Sequence, residues 1–279
     1  MTENEFEPMP ICMTIAGVDP SGGAGVLVDV RTFAAFGCYP AAAMSSLTFQ
    51  NTTGVFGVSN QDRETLRQQI RPVLDDLDVA AVKTGMLPTA ETIDETASLL
   101  VEYGIDKIVV DPVVRSTSGF DLIDDEALRT LVEKLFPLAT IVTPNMQEAE
   151  RIAGFAIKTF GDIEKAAGIM LGFGAKSVLV KGGHMPDGVV ETGIARDHLF
   201  IGDRLEVIDG RLYDTTSTHG TGCTLAAAIT ANLALGKDLV EAVRISKRYV
   251  NEAIRTAPKI GKGHSPINIV PVGKLLGDG

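Results

Sequence analysis

Cysteine is scarce in this chain: three in 279 residues, at positions 12, 38 and 223. An odd number without short spacing makes neither a disulfide framework nor a zinc pattern. Two of the thiols are expected to pack as small hydrophobes. Positive charge is short as well, with 25 Lys and Arg against 36 Asp and Glu and a formal net charge of −11. A nucleic-acid or anionic-membrane partner needs a basic face, so neither is expected, and a phosphate ligand must be held by local chemistry. No apolar run approaches the roughly 18 residues of a membrane span. The longest candidate, residues 225–235, is broken by Thr230 and Asn232. Residues 1–10 are acidic, lack the regions of a signal peptide and are expected to be disordered. The reading is a protein of the reduced cytoplasm.

What is present is the balance of a globular protein, 45% hydrophobic and 22% charged. Short apolar runs at 11–16, 41–48, 79–84, 107–111, 139–143 and 177–181 read as strands. Helical patterns lie between them, at 24–36, 62–76, 89–103, 124–136 and 161–173. Residues 199–201 and 205–207 flank Gly202 and Asp203 as a hairpin. Helices over 221–235 and 239–256 close the chain. This alternation predicts an α/β fold, a mostly parallel central sheet with helices on both faces, in one domain over 11–279. In such sheets ligands bind beyond the carboxyl ends of the strands, where the unusual sequences cluster.

Residues 220–224 (GTGCT) place two glycines before an apolar helical run. Free N–H groups and a positive dipole end can hold a developing negative charge there. Cys223 falls in the first turn, where a thiol's pKa tends to fall. An ordinary glycine-assisted helix start has the same appearance. The segment is neither a Walker A loop nor a dinucleotide fingerprint. The glycine-rich loop 17–25 follows the first strand and permits close backbone approach, with Asp29 one turn further on. Asn145 and Glu148, three apart at a helix start, can share a hydrated Mg²⁺ through oxygens; the same spacing also caps a helix. Lys181 ends a strand before two glycines, where a cation can meet a phosphate. Asp111 also ends a strand, and Gln50 carries an amide suited to a heterocycle edge. His184 and His219 are not spaced as a metal pair and read as hydrogen-bonding loop residues. Together these are the parts that phosphoryl transfer requires.

In this order the segments TIAGVDPSGGAG with Asp29, FQNTTGV, VKTGML, DPVV, TPNMQEAE, VKGGH, STHGTGCT and GKGHSPIN carry a resemblance. The chain resembles the ribokinase-like kinases, and within them the hydroxymethylpyrimidine/phosphomethylpyrimidine kinases of thiamine biosynthesis, from Thr14 to about residue 268. The resemblance implies ATP and Mg²⁺ as cofactors and 4-amino-5-hydroxymethyl-2-methylpyrimidine and its monophosphate as substrates. It implies a pyrimidine site of Ala24, Asp29, Gln50, Met86 and Val113. It implies contact of Lys181, Asn145 and Thr221 with ATP, and Asp111, Asn145 and Glu148 near the metal. Gly220, Thr221 and Gly222 match the anion hole. Cys223 stands where sugar kinases carry an aspartate base, so a thiolate base is implied, with Lys181 and the anion hole as catalytic partners. A homodimer is expected, since dimers are common among similar proteins. Phe49, Val114 and Phe120 depart from the pattern and bear on substrate preference. A pyridoxal or pyridoxine kinase shares the cysteine and is the alternative; a non-catalytic binding or regulatory protein is the other, against which the intact Lys181, Gly222 and Cys223 count.

Overall fold

The computed structural model describes residues 9–114, 122–182 and 193–276. The expected disorder of the N-terminus therefore falls, for residues 1–8, outside the described residues, as do Phe120, Gly183 and His184. The first half of the chain runs β1 (Ile11–Val18), α1 (Gly25–Ala35), β2 (Tyr39–Asn51), β3 (Gly54–Asn60), α2 (Arg63–Asp76), β4 (Val79–Thr84), α3 (Ala90–Glu102) and β5 (Ile108–Val110). The second half runs α4 (Asp125–Thr130), β6 (Ile141–Val142), α5 (Met146–Ala153), α6 (Phe160–Gly172) and β7 (Val178–Val180). It continues through β8 (Ile194–Ile201), β9 (Arg204–Arg211), α7 (Thr221–Ala234), α8 (Leu239–Arg255) and α9 (Val272–Leu276).

The described strands form one sheet in the order β3-β2-β1-β4-β5-β6-β7-β8-β9. Its centre, β2 through β7, is parallel, and β3, β8 and β9 add antiparallel edges. The central strands read as continuous apolar runs because both faces are covered. Side chains alternate between those faces. In β5, Ile108 and Val110 join the core under α2–α6, whereas Val109 packs with Leu225, Ile229 and Val243 of α7 and α8.

Three expectations need correction. β3 has no counterpart among the strands read from sequence, and β2 is longer than 41–48. The helix expected over 124–136 keeps α geometry only to Thr130, widens over Leu131–Leu135 and tightens into a 3-10 turn at Phe136–Leu138. Pro137 has no N–H to continue the ladder.

β1 lies between β2 and β4, so the chain leaves it first to one side and later to the other. That reversal is the topological switch point at which a crevice opens beyond the strand ends. The segments after β1, β4, β5 and β7 converge on it, and so does the start of α7.

Candidate active site

Helix starts distinguish this crevice from the rest of the molecule. Asp62, Thr89, Asp124, Asn145, Thr159 and Asp238 each cap a helix, α2 through α6 and α8, with a side-chain oxygen. α1 and α7 have no side-chain cap. Thr221 N donates to the Thr218 carbonyl and Gly25 N to Cys223, which leaves the N–H groups of Gly222 and Cys223 to water or a ligand at the positive end of the α7 dipole. Both helices begin in glycine-rich turns.

The turns interlock. Gly220 is left-handed at φ +83°, and a Cβ there would stand 1.8 Å from the carbonyl oxygen of Gly23. A Cβ on Gly23 would meet the His219 ring at 2.2 Å. His219 Nε2 lies 2.7 Å from Asp19 Oδ2. Asp19 also accepts from Ser21 N, Ser21 Oγ and Gly23 N. Only bare backbone fits between the two loops. The segment GKGHSPIN closes over the same place: His219 N donates to the Ser265 carbonyl, and His264 N to that of Thr52 in the β2–β3 turn. His219 is thus the hydrogen-bonding loop residue that was expected.

On the opposite wall, Lys181 Nζ lies 3.0 Å from Asp111 Oδ1 and 3.7 Å from Glu148 Oε2. A Cβ on Gly222 would stand 3.3 Å from that ammonium, so the α7 turn faces it directly. Thr143 Oγ1 also donates to Asp111. Asn145 and Glu148 form a reciprocal capping box: Glu148 N donates to Asn145 Oδ1 at 2.9 Å, and Asn145 N to Glu148 Oε2 at 2.6 Å. The capping alternative therefore describes their geometry here. Burial pushes the Glu148 carboxyl up to about 7, with Lys181 opposing and Asp111 adding to the rise. Among the described residues no three His, Cys, Asp or Glu side chains cluster as a metal site.

The expected acceptor residues are dispersed around β1. Ala24 is the extended residue preceding α1. Met86 Sδ would lie 3.2 Å from a Cβ on Gly17, and Ser46 Oγ 2.8 Å from it. Val113 N turns back to the Asp111 carbonyl at 2.8 Å. Gln50 follows a bulge in β2 and is half-buried. Asp29 differs from expectation in being wholly buried: its Oδ2 accepts from Thr14 Oγ1 at 2.6 Å and from Lys83 Nζ at 2.7 Å. Asp29 Oδ1 is buried with no hydrogen-bond partner.

Cys223 requires a correction. Its place in the first turn of α7 does not lower its pKa; burial pushes the thiol up to about 11. Lys83 and an N–H from Gly25 pull the other way, and Asp29 and Asp111 add to the rise. Burial and the two carboxylates outweigh Lys83 and the Gly25 N–H.

Lys83, Thr14 and Asp19 lie in the segments TIAGVDPSGGAG and VKTGML but carry no role legible from sequence. The signal for Lys83 was present, as a lone lysine inside the apolar strand VAAVKT.

An anion turn facing a lysine and a carboxylate across the switch point of a doubly covered sheet defines a small-molecule kinase of the ribokinase-like class. The phosphomethylpyrimidine kinase family model matches residues 19–268. A hydroxymethylpyrimidine/phosphomethylpyrimidine kinase of Bacillus subtilis (strain 168) is 43% identical over 256 residues, 92% of this chain and 93% of that protein. The chain belongs to the phosphomethylpyrimidine kinase family. Among solved structures, phosphomethylpyrimidine kinase from Clostridium difficile 630 superposes with a TM-score of 0.76 at 42% identity, covering 88% of this chain and 100% of that one. Pyridoxal kinase from Staphylococcus aureus, in complex with AMP-PCP and pyridoxal, gives 0.87 at 29% identity, covering 96% of each chain. Among the described residues no helix is long and apolar enough to cross a membrane.

Proposed function

We propose that the chain transfers the γ-phosphoryl group of ATP to the hydroxymethyl oxygen of 4-amino-5-hydroxymethyl-2-methylpyrimidine and then phosphorylates the monophosphate, in thiamine biosynthesis. The observation that carries this reading is the start of α7, uncapped by any side chain and bare at Gly222, set against Lys181 and Asp111. The names of the Bacillus and Staphylococcus relatives state the same pair of acceptors.

The hydroxyl oxygen attacks the γ-phosphorus as the bond to the bridging oxygen breaks and ADP leaves. In a loose transition state the equatorial oxygens carry the charge, so the task is positioning and electrostatics. The N–H groups of Gly222 and Cys223 and the Lys181 ammonium meet those oxygens, and the missing side chain at Gly222 admits them, while Gly220 lets the turn pack against Gly23. Thr221 and Asn145 flank the ATP phosphates. Gln50 reads the ring nitrogen and amino group, while Ala24, Met86 and Val113 bound the ring. The hydroxyl proton leaves late, to the partnerless oxygen of Asp29 rather than to Cys223.

Two buried carboxylates share one lysine, and one of them is pushed toward neutrality, so this wall is short of positive charge. Hard oxygens from Asp111, Asn145 and Glu148 fit Mg²⁺, held directly or through water. When bound, Mg²⁺ neutralises charge on the ATP phosphates.

A panel of hydroxymethylpyrimidine, its monophosphate, pyridoxal and pyridoxine with Mg·ATP tests the reading. Mono- and diphosphate of the pyrimidine are expected. The close shape match to a pyridoxal kinase favours a second reading, and a higher kcat/KM for pyridoxal would establish it over the first.

The free thiols at 12, 38 and 223 suit a reducing cytoplasm. We further propose a homodimer through the sheet edge at β2 and β3, where Met44, Leu47, Phe49 and Phe56 are exposed apolar side chains. Sedimentation equilibrium should give a dimer that Phe56→Glu weakens; a monomeric wild type overturns this.

A further inference from the structure

Lys83 is the fifth residue of β4, and alternation turns it away from Val82, which packs under α2–α6, toward the face covered by α1 and α7. Its side chain is 0% exposed, as is that of Asp29. Gly85 leaves room for the ammonium: a Cβ there would stand 3.0 Å from Nζ. Desolvating two such ions costs several kcal/mol each, and a packed apolar pair would hold this sheet at least as well. The pair is therefore a poor purchase for stability alone. It sits at the strand ends of the switch point, between β1 and the start of α7.

The hydrogen bonds are also one-sided. Thr14 and Lys83 both address Asp29 Oδ2 and leave Oδ1 buried and unpartnered. A buried acceptor without a donor costs roughly 1–3 kcal/mol. Native structures leave few of these, and a ligand's donor is one way to satisfy them. The cation reaches beyond its partner. Burial alone would push the Lys83 ammonium down, yet Asp29, Cys223 and Asp111 together push it up. The charged groups that act on Cys223 are Lys83 from β4, Asp29 from α1, Asp111 after β5 and Lys181 after β7.

We infer that Lys83 is a positioning residue for phosphoryl transfer: it holds Asp29 as a carboxylate with Oδ1 free to accept a donor from the acceptor molecule, and it sets the field at Cys223. The inference rests on the reading above, in which Asp29 faces the acceptor hydroxyl. Without Lys83 the buried Asp29 carboxylate has only Thr14, and taking up a proton becomes its cheapest course. A protonated Asp29 no longer offers the same acceptor.

Cys223 is a built-in reporter of that field, because it is partly exposed whereas Cys12 and Cys38 are buried. Alkylation of Cys223 by iodoacetamide, located by mass spectrometry on the ligand-free chain, would be followed from neutral pH to about pH 10. Asp29→Asn is expected to speed it about tenfold by removing a negative charge, whereas Lys83→Met, in which Asp29 is neutral as well, is expected to leave it within about threefold. Loosened packing speeds both variants alike, and that result, or no change in Asp29→Asn, overturns the inference. Should Lys83→Met fail to fold, Asp29→Asn,Lys83→Met removes both charges. It is expected to alkylate about tenfold more slowly than Asp29→Asn, and equal rates overturn the inference.

A second arm uses turnover. Lys83→Met is expected to raise KM for the pyrimidine about tenfold while KM for ATP stays within about twofold, because Lys181 is untouched. Equal losses for both substrates overturn the positioning role. If the wild type turns over no pyrimidine, the proposed function fails, and the alkylation arm still decides the role of Lys83.

Discussion

His219 Nε2 and Asp19 Oδ2 lie 2.7 Å apart although 200 residues separate them in the chain. The contact fastens the turn that starts α7 to the loop that follows β1. Asp19 holds Ser21 and Gly23 by their backbone N–H groups and His219 by its ring, so one carboxylate sets the spacing of both glycine turns.

Asp19→Asn tests that coupling. Burial alone would push the Asp19 carboxyl up, but hydrogen bonds from His219 and Ser21 outweigh it and hold it below its ordinary 3.8. A carboxyl lowered on folding adds stability that is complete above its unfolded value and is lost as pH falls through its folded value. The urea midpoint of Asp19→Asn should therefore trail the wild type near neutral pH, with the gap closing as pH falls below 3.8. Because the anion turn loses its fixed position, kcat should fall about tenfold to a hundredfold. A pH-independent gap in midpoint would show that the charge of Asp19 is not what holds the loops.

A pair of glycines separates backbone strain from crowding. Gly220 at φ +83° and Gly236 at φ +79° have the same left-handed backbone. Nothing lies within 4 Å of a Cβ on Gly236, whereas one on Gly220 would stand 1.8 Å from the Gly23 carbonyl oxygen. Gly236→Ala should cost about 1–2 kcal/mol and leave kcat near normal. Gly220→Ala should cost more than about 3 kcal/mol or abolish turnover in a folded chain, since the clash adds to the same strain. Denaturant melts and kcat on both variants check this; equal effects would mean that the loops do not interlock.

The parallel core was legible because strands covered on both faces leave unbroken apolar runs, as in IVV at 108–110. β3 was not, since GVFGVSN is half-exposed, contains two glycines and pairs only as an edge strand. The glycine turns and Lys181 could be read because their chemistry is local. Lys83 and Asp19 act through partners 54 and 200 residues away, and no local spacing announces such pairs. Cys223 misled for the same reason: a position in the first helical turn is visible in sequence, but the buried Asp29 and Asp111 charges around it are not.

Cys223 yields the last prediction. The free chain carries it as a neutral thiol, with a pKa raised to about 11 from 9.0. A group whose pKa rises on folding adds stability below its unfolded value and loses it as pH climbs through the folded one. Between pH 9.0 and about 11 the wild type should thus lose stability that Cys223→Ser does not. Subtracting the two urea-midpoint profiles removes the lysine and tyrosine titrations common to both. For turnover, a required thiolate base would make kcat climb about tenfold per pH unit through the neutral range. A loose transition state served by the α7 turn and Lys181 asks for less. We expect kcat to stay nearly flat from about pH 7 to 9, and Cys223→Ala to lower it less than about tenfold. A thousandfold loss on replacing this thiol, together with a unit slope in the wild-type profile, would restore Cys223 as the base and displace Asp29 from that role.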